Sequence, residues 1–107
     1  MIDINALRQL AENIDSFVLT KHIIERFEER GIILADVRKV ILQGEIIEQY
    51  PEDYPFPSCL LLGLSINREY LHACVASNHE NIFVITAYHP DPDEWEPDLK
   101  TRKKAKL

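Results

Sequence analysis

Hydrophobic residues in the first half of the chain recur every three to four positions, which is the spacing of helices that each bury one face. This pattern predicts three amphipathic helices, over residues 3–14, 21–30 and 35–43. Thr20 is placed to cap the second helix, and Gly31 supplies a left-handed residue just past its end. A glycine also follows the third helix, so glycine marks the end of both.

From residue 45 onward the helical spacing gives way to β-branched, aromatic and leucine-rich runs. Four strands are predicted, over residues 45–50, 58–66, 69–76 and 81–89. Three prolines within residues 51–57 indicate a loop or an exposed edge crossing between the first two strands. Short polar turns separate the others. The predicted fold class is therefore α+β, with N-terminal helices packed on one face of a four-stranded antiparallel sheet.

The turn between the second and third strands determines which side chains face the helices. A two-residue turn at Asn67 and Arg68 places Ile66 opposite Glu69. On this register the predicted core face carries Leu60, Leu62, Leu64, Ile66, Leu71, Ala73 and Val75, and continues into Phe83, Ile85 and Ala87. The opposite face, predicted to be open, gathers Tyr70, His72, Thr86 and Tyr88, with His72 opposite Thr86 and Tyr70 opposite Tyr88.

The length of 107 residues is that of a single domain. We divide it into an N-terminal helix (1–16), a helix-helix-sheet core (17–90) and an acidic, then basic, C-terminal tail (91–107). With 46% apolar and 28% charged residues, the composition excludes disordered and collagen-like chains. The two cysteines do not have the spacing of metal ligands, and the chain shows no signal-peptide pattern. It also has no apolar run near the roughly 20 residues that a membrane helix needs. These features predict a cytoplasmic protein without membrane contact.

The open face offers one candidate for chemistry. A histidine beside tyrosine and threonine hydroxyls could transfer protons near neutral pH, because imidazole titrates near 6.5. His72 is that histidine, with Tyr70, Thr86 and Tyr88 as its neighbours. The alternative is a satisfied, semi-buried histidine with a structural role.

Basic residues form two further candidates. His22, Arg26 and Arg30 share one face of the second helix, where arginine forks suit phosphate oxygens, and the alternative is intrahelical pairing with acids such as Glu29. The tail contains Lys100, Arg102 and Lys103, which could hold nucleic-acid phosphates or form a solvated terminus. The net charge is +5 over residues 100–107 and −11 over residues 1–99. The acidic body argues against broad nonspecific affinity for nucleic acid.

Metal and cofactor chemistry has little support in the sequence. The four histidines lack the spacing of a local ligand pair, and there is no phosphate-binding glycine loop, no G-x-S-x-G and no C-x-x-C. We therefore expect no metal and no cofactor.

Several short motifs, in order along residues 18–104, resemble the bacterial family called domain of unknown function 4258. They are Leu19-Thr20-Lys21-His22, Glu25-Arg26, Glu29-Arg30-Gly31-Ile32, Asp36-Val37, Gly44 to Tyr50, Leu71-His72, Ile85-Thr86-Ala87-Tyr88, Pro90-Asp91, Trp95 and Lys100 to Lys104. The resemblance implies a RelE-like or colicin-like ribonuclease fold and the role of toxin in a toxin–antitoxin pair. It also implies metal-independent attack of an RNA 2′-hydroxyl on the adjacent phosphate, with acid-base side chains and cations on the open sheet face.

Three functional hypotheses follow. The first is a metal-independent endoribonuclease. Its catalytic residues would be His72, His22, Tyr70, Thr86 and Tyr88, and its phosphate-binding residues Arg26, Arg30, Lys100, Arg102 and Lys103. It requires His22 to reach His72, because acid and base must both lie within hydrogen-bond reach of one phosphate. The second is a non-catalytic protein-binding module, and the third a metal-dependent hydrolase. The expected partners are RNA, an antitoxin protein and a second copy of the chain joined through residues 45–50.

Overall fold

A computed structural model describes residues 1–104 and confirms the α+β class, with the helices on one face of a sheet. The helices are α1 (Ile4–Ala11), α2 (Lys21–Arg30) and α3 (Leu34–Gln43), and a 3₁₀ turn spans Ile14–Ser16. The strands are β1 (Phe17–Val18), β2 (Glu45–Tyr50), β3 (Ser58–Leu64), β4 (Tyr70–Ser77) and β5 (Ile82–Tyr88). The predicted tail extends to residue 107, and its last three residues lie outside the described part of the chain.

The sheet differs from the predicted four-stranded meander by one strand. Its order is β1-β5-β4-β3-β2, and β1 pairs with β5 in parallel while all other pairs are antiparallel. The sheet is therefore five-stranded and mixed. Two residues, Phe17 and Val18, are too few to produce a strand pattern in the sequence, so β1 depends on tertiary contact with β5.

The ends of α2 form as the sequence predicts. The Thr20 hydroxyl accepts a hydrogen bond from the Ile23 amide at 3.2 Å, and Gly31 adopts a left-handed φ of 67°. Ile23 and Phe27 are buried in the core that α2 shares with the sheet, whereas Ile24 is half exposed. Capping and glycine therefore fix the length of α2, and burial of two apolar side chains fixes its rotation.

The turn between β3 and β4 is one residue longer than predicted. Ser65, not Ile66, pairs with Glu69, with the Ser65 amide 2.8 Å from the Glu69 carbonyl oxygen. Arg68 takes a left-handed φ of 63°, which suits a three-residue hairpin loop. Asp36 at the start of α3 holds this loop, because its carboxylate accepts hydrogen bonds from the Ile66 amide at 2.9 Å and the Ile33 amide at 3.0 Å. Asp36 therefore ties the loop to the helix and keeps Ile66 out of the ladder.

The shift in register reverses the faces of β3. Cys59 and Leu61 point into the core beneath the helices, where Leu60 and Leu62 were predicted. Leu60 and Leu62 are buried on the opposite face, where Leu62 pairs with His72. Leu64 and Ile66 were also predicted to lie in the core, and this prediction is wrong because both side chains are exposed near the turn.

A bulge alters the pairing of β4 with β5. Cys74 pairs with Thr86 and Val75 with Val84, so Ile85 is the extra residue and is exposed rather than in the predicted core. The predicted cross-strand pairs are therefore wrong: His72 lies opposite Tyr88, and Tyr70 pairs only with Leu64 on β3. The β5 side chains in the core are Ile82, Val84 and Ala87, and Phe83 instead stacks on Phe56 at 5.3 Å.

Residues 90–104, which we call the strap, cross the sheet face opposite the helices. Most of the strap's main-chain hydrogen bonds are internal, including Glu96 to Thr101 at 2.8 Å and Lys103 to Glu94 at 2.9 Å. Trp95 is 2% exposed and docks the strap on the domain. The part of this face around His72, predicted to be open, is therefore covered.

We predict that Asp36→Ala lowers the free energy of unfolding by about 2 to 4 kcal/mol, because two amide groups at the α3 and β3–β4 junction lose their charged acceptor. Urea denaturation measures this loss. Asp15→Ala is the matched control, since Asp15 is exposed and its carboxylate has no hydrogen bond among the described residues. Equal effects of the two substitutions would contradict the proposed role of Asp36.

Candidate active site

His72 is completely buried between the sheet and the strap. Its Nε2 lies 2.8 Å from the Leu99 carbonyl oxygen, and its Nδ1 lies 3.3 Å from the Tyr88 hydroxyl. The Trp95 ring meets the imidazole edge to face, with centroids 4.5 Å apart. β4 thus supplies a histidine whose two nitrogens are engaged by two different elements.

The partners of His72 define its tautomer and charge. A carbonyl oxygen can only accept, so Nε2 carries the proton toward Leu99, and Nδ1 accepts from the Tyr88 hydroxyl. Burial lowers the pKa of His72, and Arg102 lowers it further, while the Leu99 carbonyl and the Glu48 carboxylate oppose these effects. His72 is therefore a neutral imidazole at pH 7. Burial raises the pKa of Tyr88, so its hydroxyl keeps its proton.

Two cations of the strap pair with acids of β2. The Arg102 guanidinium contacts Glu48 through two hydrogen bonds of 3.0 and 3.1 Å and stacks on Trp95 at 4.6 Å. Lys100 Nζ lies 2.6 Å from a carboxylate oxygen of Glu45. Two tail residues predicted to bind substrate thus pair within the chain, and Lys103 contributes its main-chain amide to the fold of the strap.

Glu48 is the centre of a small charged network. Its hydrogen bond with Arg102 lowers the pKa of Glu48, partly offset by burial, and the Tyr50 hydroxyl also donates to it. The pKa of Tyr50 is raised to about 12, mainly by burial and to a smaller extent by its hydrogen bond to Glu48. The carboxylate is therefore charged at neutral pH and lies close enough to His72 to favour an imidazolium there.

Arg30 reaches the edge of β5 from the end of α2. Its Nη1 donates to the Ala87 carbonyl at 2.8 Å and contacts the Thr86 hydroxyl at 3.3 Å. This edge is accessible because β1 pairs only with Ile82 and Phe83 of β5. Thr86 lies two residues before Tyr88, the partner of His72. The structure therefore brings together a set that we call the β5 row: Arg30, Thr86, Tyr88 and His72.

Other predicted site residues lie apart from this row. His22 is exposed at the start of α2, on the helix side of the sheet, whereas His72 projects from the opposite side. The structure therefore does not join the two histidines. Arg26 pairs with Glu29 at 3.0 Å, which is the intrahelical alternative. Tyr70 is 57% exposed on the His72 face, and its carbonyl accepts a hydrogen bond from His89 Nδ1 at 3.0 Å.

An open cleft of about 540 Å³ lies where the strap meets the ends of α3, β3 and β4. Its lining includes Lys39, Arg68, Tyr70, Leu99 and Lys100. Leu99 is the residue whose carbonyl holds His72, so the wall of the cleft separates solvent from the buried imidazole. Tyr70 and Lys100, two of the predicted site residues, meet here.

Sequence reasoning missed Glu45, Glu48 and the carbonyl of Leu99 as parts of this site. The sequence did contain a signal for the two glutamates, because the opposite charges of an acidic outer strand and a basic terminus favour pairing of the two segments. No side-chain pattern could reveal the third, since any residue supplies a carbonyl.

The structure offers little support for a cysteine nucleophile or a metal site. Burial raises the pKa of the Cys59 thiol to about 12 and that of the Cys74 thiol to about 11, so neither is a thiolate at neutral pH. Within residues 1–104, no group of three or more His, Cys, Asp and Glu side chains is arranged to hold a metal ion.

We predict that burial of His72 makes the protein less stable in mild acid. The pKa of His72 is lower in the folded protein than in the unfolded chain, where it is near 6.5. As pH falls below about 6.5, the unfolded chain therefore binds the proton first, and stability falls by at most about 1.4 kcal/mol per pH unit. Stability is unaffected by this residue above that pH.

Urea denaturation at a series of pH values from about 7.5 to about 5 measures how the free energy of unfolding depends on pH. His72→Gln retains a donor for Leu99 and should reduce the slope, and His22→Gln is the control for loss of an exposed imidazole. A slope unchanged by His72→Gln would show that His72 titrates alike in the folded and unfolded states.

The family model described as Domain of unknown function (DUF4258) matches residues 19–89. No curated protein and no solved structure matches the chain. Among the described residues, no helix combines the length and apolar character needed to cross a membrane. The family match contains α2, α3 and β2–β5, which carry the whole β5 row, and the chain belongs to the DUF4258 family.

Proposed function

We propose that the chain is a metal-independent endoribonuclease and the toxin of a bacterial toxin–antitoxin pair, with a RelE-like arrangement of helices and sheet. The observation that carries the proposal is the β5 row, in which the Arg30 fork contacts the Thr86 hydroxyl and, two residues along β5, the Tyr88 hydroxyl contacts a neutral histidine. The resemblance of the sequence motifs to the family supplies the enzyme class, and an antitoxin protein is the proposed partner.

The proposed reaction uses Tyr88 as a relay between substrate and histidine. The Tyr88 oxygen accepts the proton of an RNA 2′-hydroxyl while its own proton moves to Nδ1 of His72, which is unprotonated in the observed tautomer. The 2′-oxygen forms a bond to the adjacent phosphorus and the bond from phosphorus to the 5′-oxygen breaks. Water protonates the leaving oxygen, and the imidazolium returns a proton to the hydroxide that remains. The products are a 2′,3′-cyclic phosphate and a 5′-hydroxyl.

Charged groups support this step at both ends of the row. Arg30 is exposed and presents its fork beside Thr86, where it would bind the phosphate and stabilise its developing charge. The Glu48 carboxylate favours the imidazolium that forms at His72. Nδ1 is the nitrogen that accepts from the Tyr88 hydroxyl, and this bond joins two strands of the sheet, so it does not depend on the strap.

The remaining predicted site residues receive binding roles in this proposal. Arg26 and His22 lie one and two turns before Arg30 on α2, so an RNA strand that reaches Arg30 could continue along them. Tyr70 lines the cleft beside the strap and offers a ring for a base to stack on. Lys100, Arg102 and Lys103 contact phosphate only after the strap moves.

A non-catalytic protein-binding module is the second candidate. The observation that favours it is the complete burial of His72, which gives this residue a structural role as the anchor of the strap. On this reading the β5 row stabilises the fold, and loss of any member lowers stability without any loss of RNA cleavage.

We predict that Tyr88→Phe reduces RNA cleavage by about 10²- to 10⁴-fold, because it removes the hydroxyl that relays the proton. Arg30→Lys should also reduce cleavage strongly, since lysine keeps the charge but loses the fork. Induced expression in a bacterial host, with growth and total RNA followed together, measures toxicity, and purified protein with a defined RNA measures the rate.

Tyr54→Phe is the matched control, because Tyr54 is 94% exposed and its hydroxyl has no hydrogen bond within residues 1–104. Thermal melts establish that each variant is folded. Normal growth and intact RNA with folded wild-type protein would favour the binding module, and equal activity of Tyr88→Phe and wild type would exclude the relay.

A further inference from the structure

The strap is attached to the rest of the domain by few polar contacts. Its own hydrogen bonds hold it together as a unit, and the Leu99 carbonyl accepts from His72. The other polar attachments among the described residues are the Lys100 pair with Glu45 and the contacts of Arg102 with Glu48 and Tyr50 on β2. Burial of Trp95 supplies the apolar part of the attachment. The strap can therefore leave the sheet without losing its internal hydrogen bonds.

Residues 90–94, which connect the rest of the strap to the end of β5, suit such a movement. Pro90 and Pro92 alternate with aspartates, and residues 91–94 are exposed. Proline limits the conformations of this connection, and the acidic side chains keep it in water. The connection therefore attaches the strap to the end of β5 without burying it.

The polar attachments are of a kind that a polyanion can replace. The Lys100 and Glu45 side chains are each about half exposed, whereas the Arg102 side chain is 60% exposed and that of Glu48 is 24% exposed. An exposed pair such as Lys100–Glu45 is weak and is screened by salt, and the Arg102–Glu48 pair, with its two hydrogen bonds, is the stronger attachment. Phosphates form the same charge-assisted bonds with lysine and arginine as carboxylates do, and an RNA strand offers many of them in series. Lys103 and Lys104 are exposed on the same strap and would add to its attraction for RNA.

We infer that the strap is a gate that RNA opens: phosphates replace Glu45 and Glu48 as partners of Lys100 and Arg102, and departure of the strap uncovers His72. This inference rests on the proposed function, because it concerns access to the same site. RNA binds the open state in preference to the closed one, so binding shifts the population toward the open state. The acidic pair on β2 keeps the gate closed when RNA is absent.

Trp95 reports the position of the strap directly, because it is the only tryptophan in the sequence. In the closed state its indole is buried against His72 and beneath Arg102. Titration of the full chain with a fully 2′-O-methylated oligoribonucleotide separates opening from cleavage, since this probe has no 2′-hydroxyl to attack. We expect acrylamide quenching of Trp95 to increase at least twofold and to saturate with the oligonucleotide. Quenching that is unchanged or lower at saturating oligonucleotide would overturn the gate, because Trp95 would then have stayed shielded from solvent.

Glu45→Gln combined with Glu48→Gln should open the gate at a several-fold lower concentration of oligonucleotide, because both ion pairs that close it are lost. Glu52→Gln combined with Glu80→Gln is the matched control, since it also removes two charges, from exposed acids that have no ion pair with the strap among the described residues. The control should open at the wild-type concentration. An equal shift in the control would mean that general charge, and not the gate, controls binding.

The outcomes separate the gate from the proposed enzyme. If the protein cleaves ordinary RNA but the methylated oligonucleotide does not increase acrylamide quenching of Trp95, the gate is overturned and the endoribonuclease stands. Exposure of Trp95 by the probe, together with absence of cleavage, would support an RNA-responsive strap and overturn the enzyme.

Discussion

The hydrogen bond from His72 to the Leu99 carbonyl joins the sheet to the strap, and the account of the site depends on it. The bond fixes the tautomer of the imidazole, leaves Nδ1 as the acceptor for Tyr88 and holds the covering segment over the sheet. A single side chain thus determines both the chemical state of the candidate base and its access to solvent. The two hydrogen bonds offset the cost of burying the polar nitrogens of the ring.

The charges of the chain are arranged around this bond. An acidic body would repel RNA, yet the two acids of β2 are paired with cations of the strap. In the closed state these pairs reduce the positive surface available to a substrate. Arg30 lies outside this arrangement, on the far side of β5 from the strap's ion pairs, and uses main-chain and hydroxyl acceptors instead. The two groups of cations therefore have different roles, one in closing the site and one at the phosphate.

Local signals in the sequence were sufficient for the helices and for most strands, because caps, glycines and periodicity act within a few residues. The faces of β3 were not predictable, since they depend on a hydrogen bond between Asp36 and Ile66, which are 30 positions apart. For the candidate site, the hydroxyls and histidine were found from alternation along β4 and β5. Their pairing changed with the bulge at Ile85, and their covering by the strap arises from tertiary contacts that no local pattern encodes.

The state of His72 is the most direct test of this account. Long-range ¹⁵N–¹H correlation spectra of the imidazoles, recorded over a pH series, identify the protonated nitrogen and the pKa of each histidine. We expect His72 to be the neutral Nε2–H tautomer at pH 7 and to titrate below its usual value near 6.5. A His72 that titrates at or above that value, or that carries its proton on Nδ1, would contradict both the anchoring of the strap and the proposed relay.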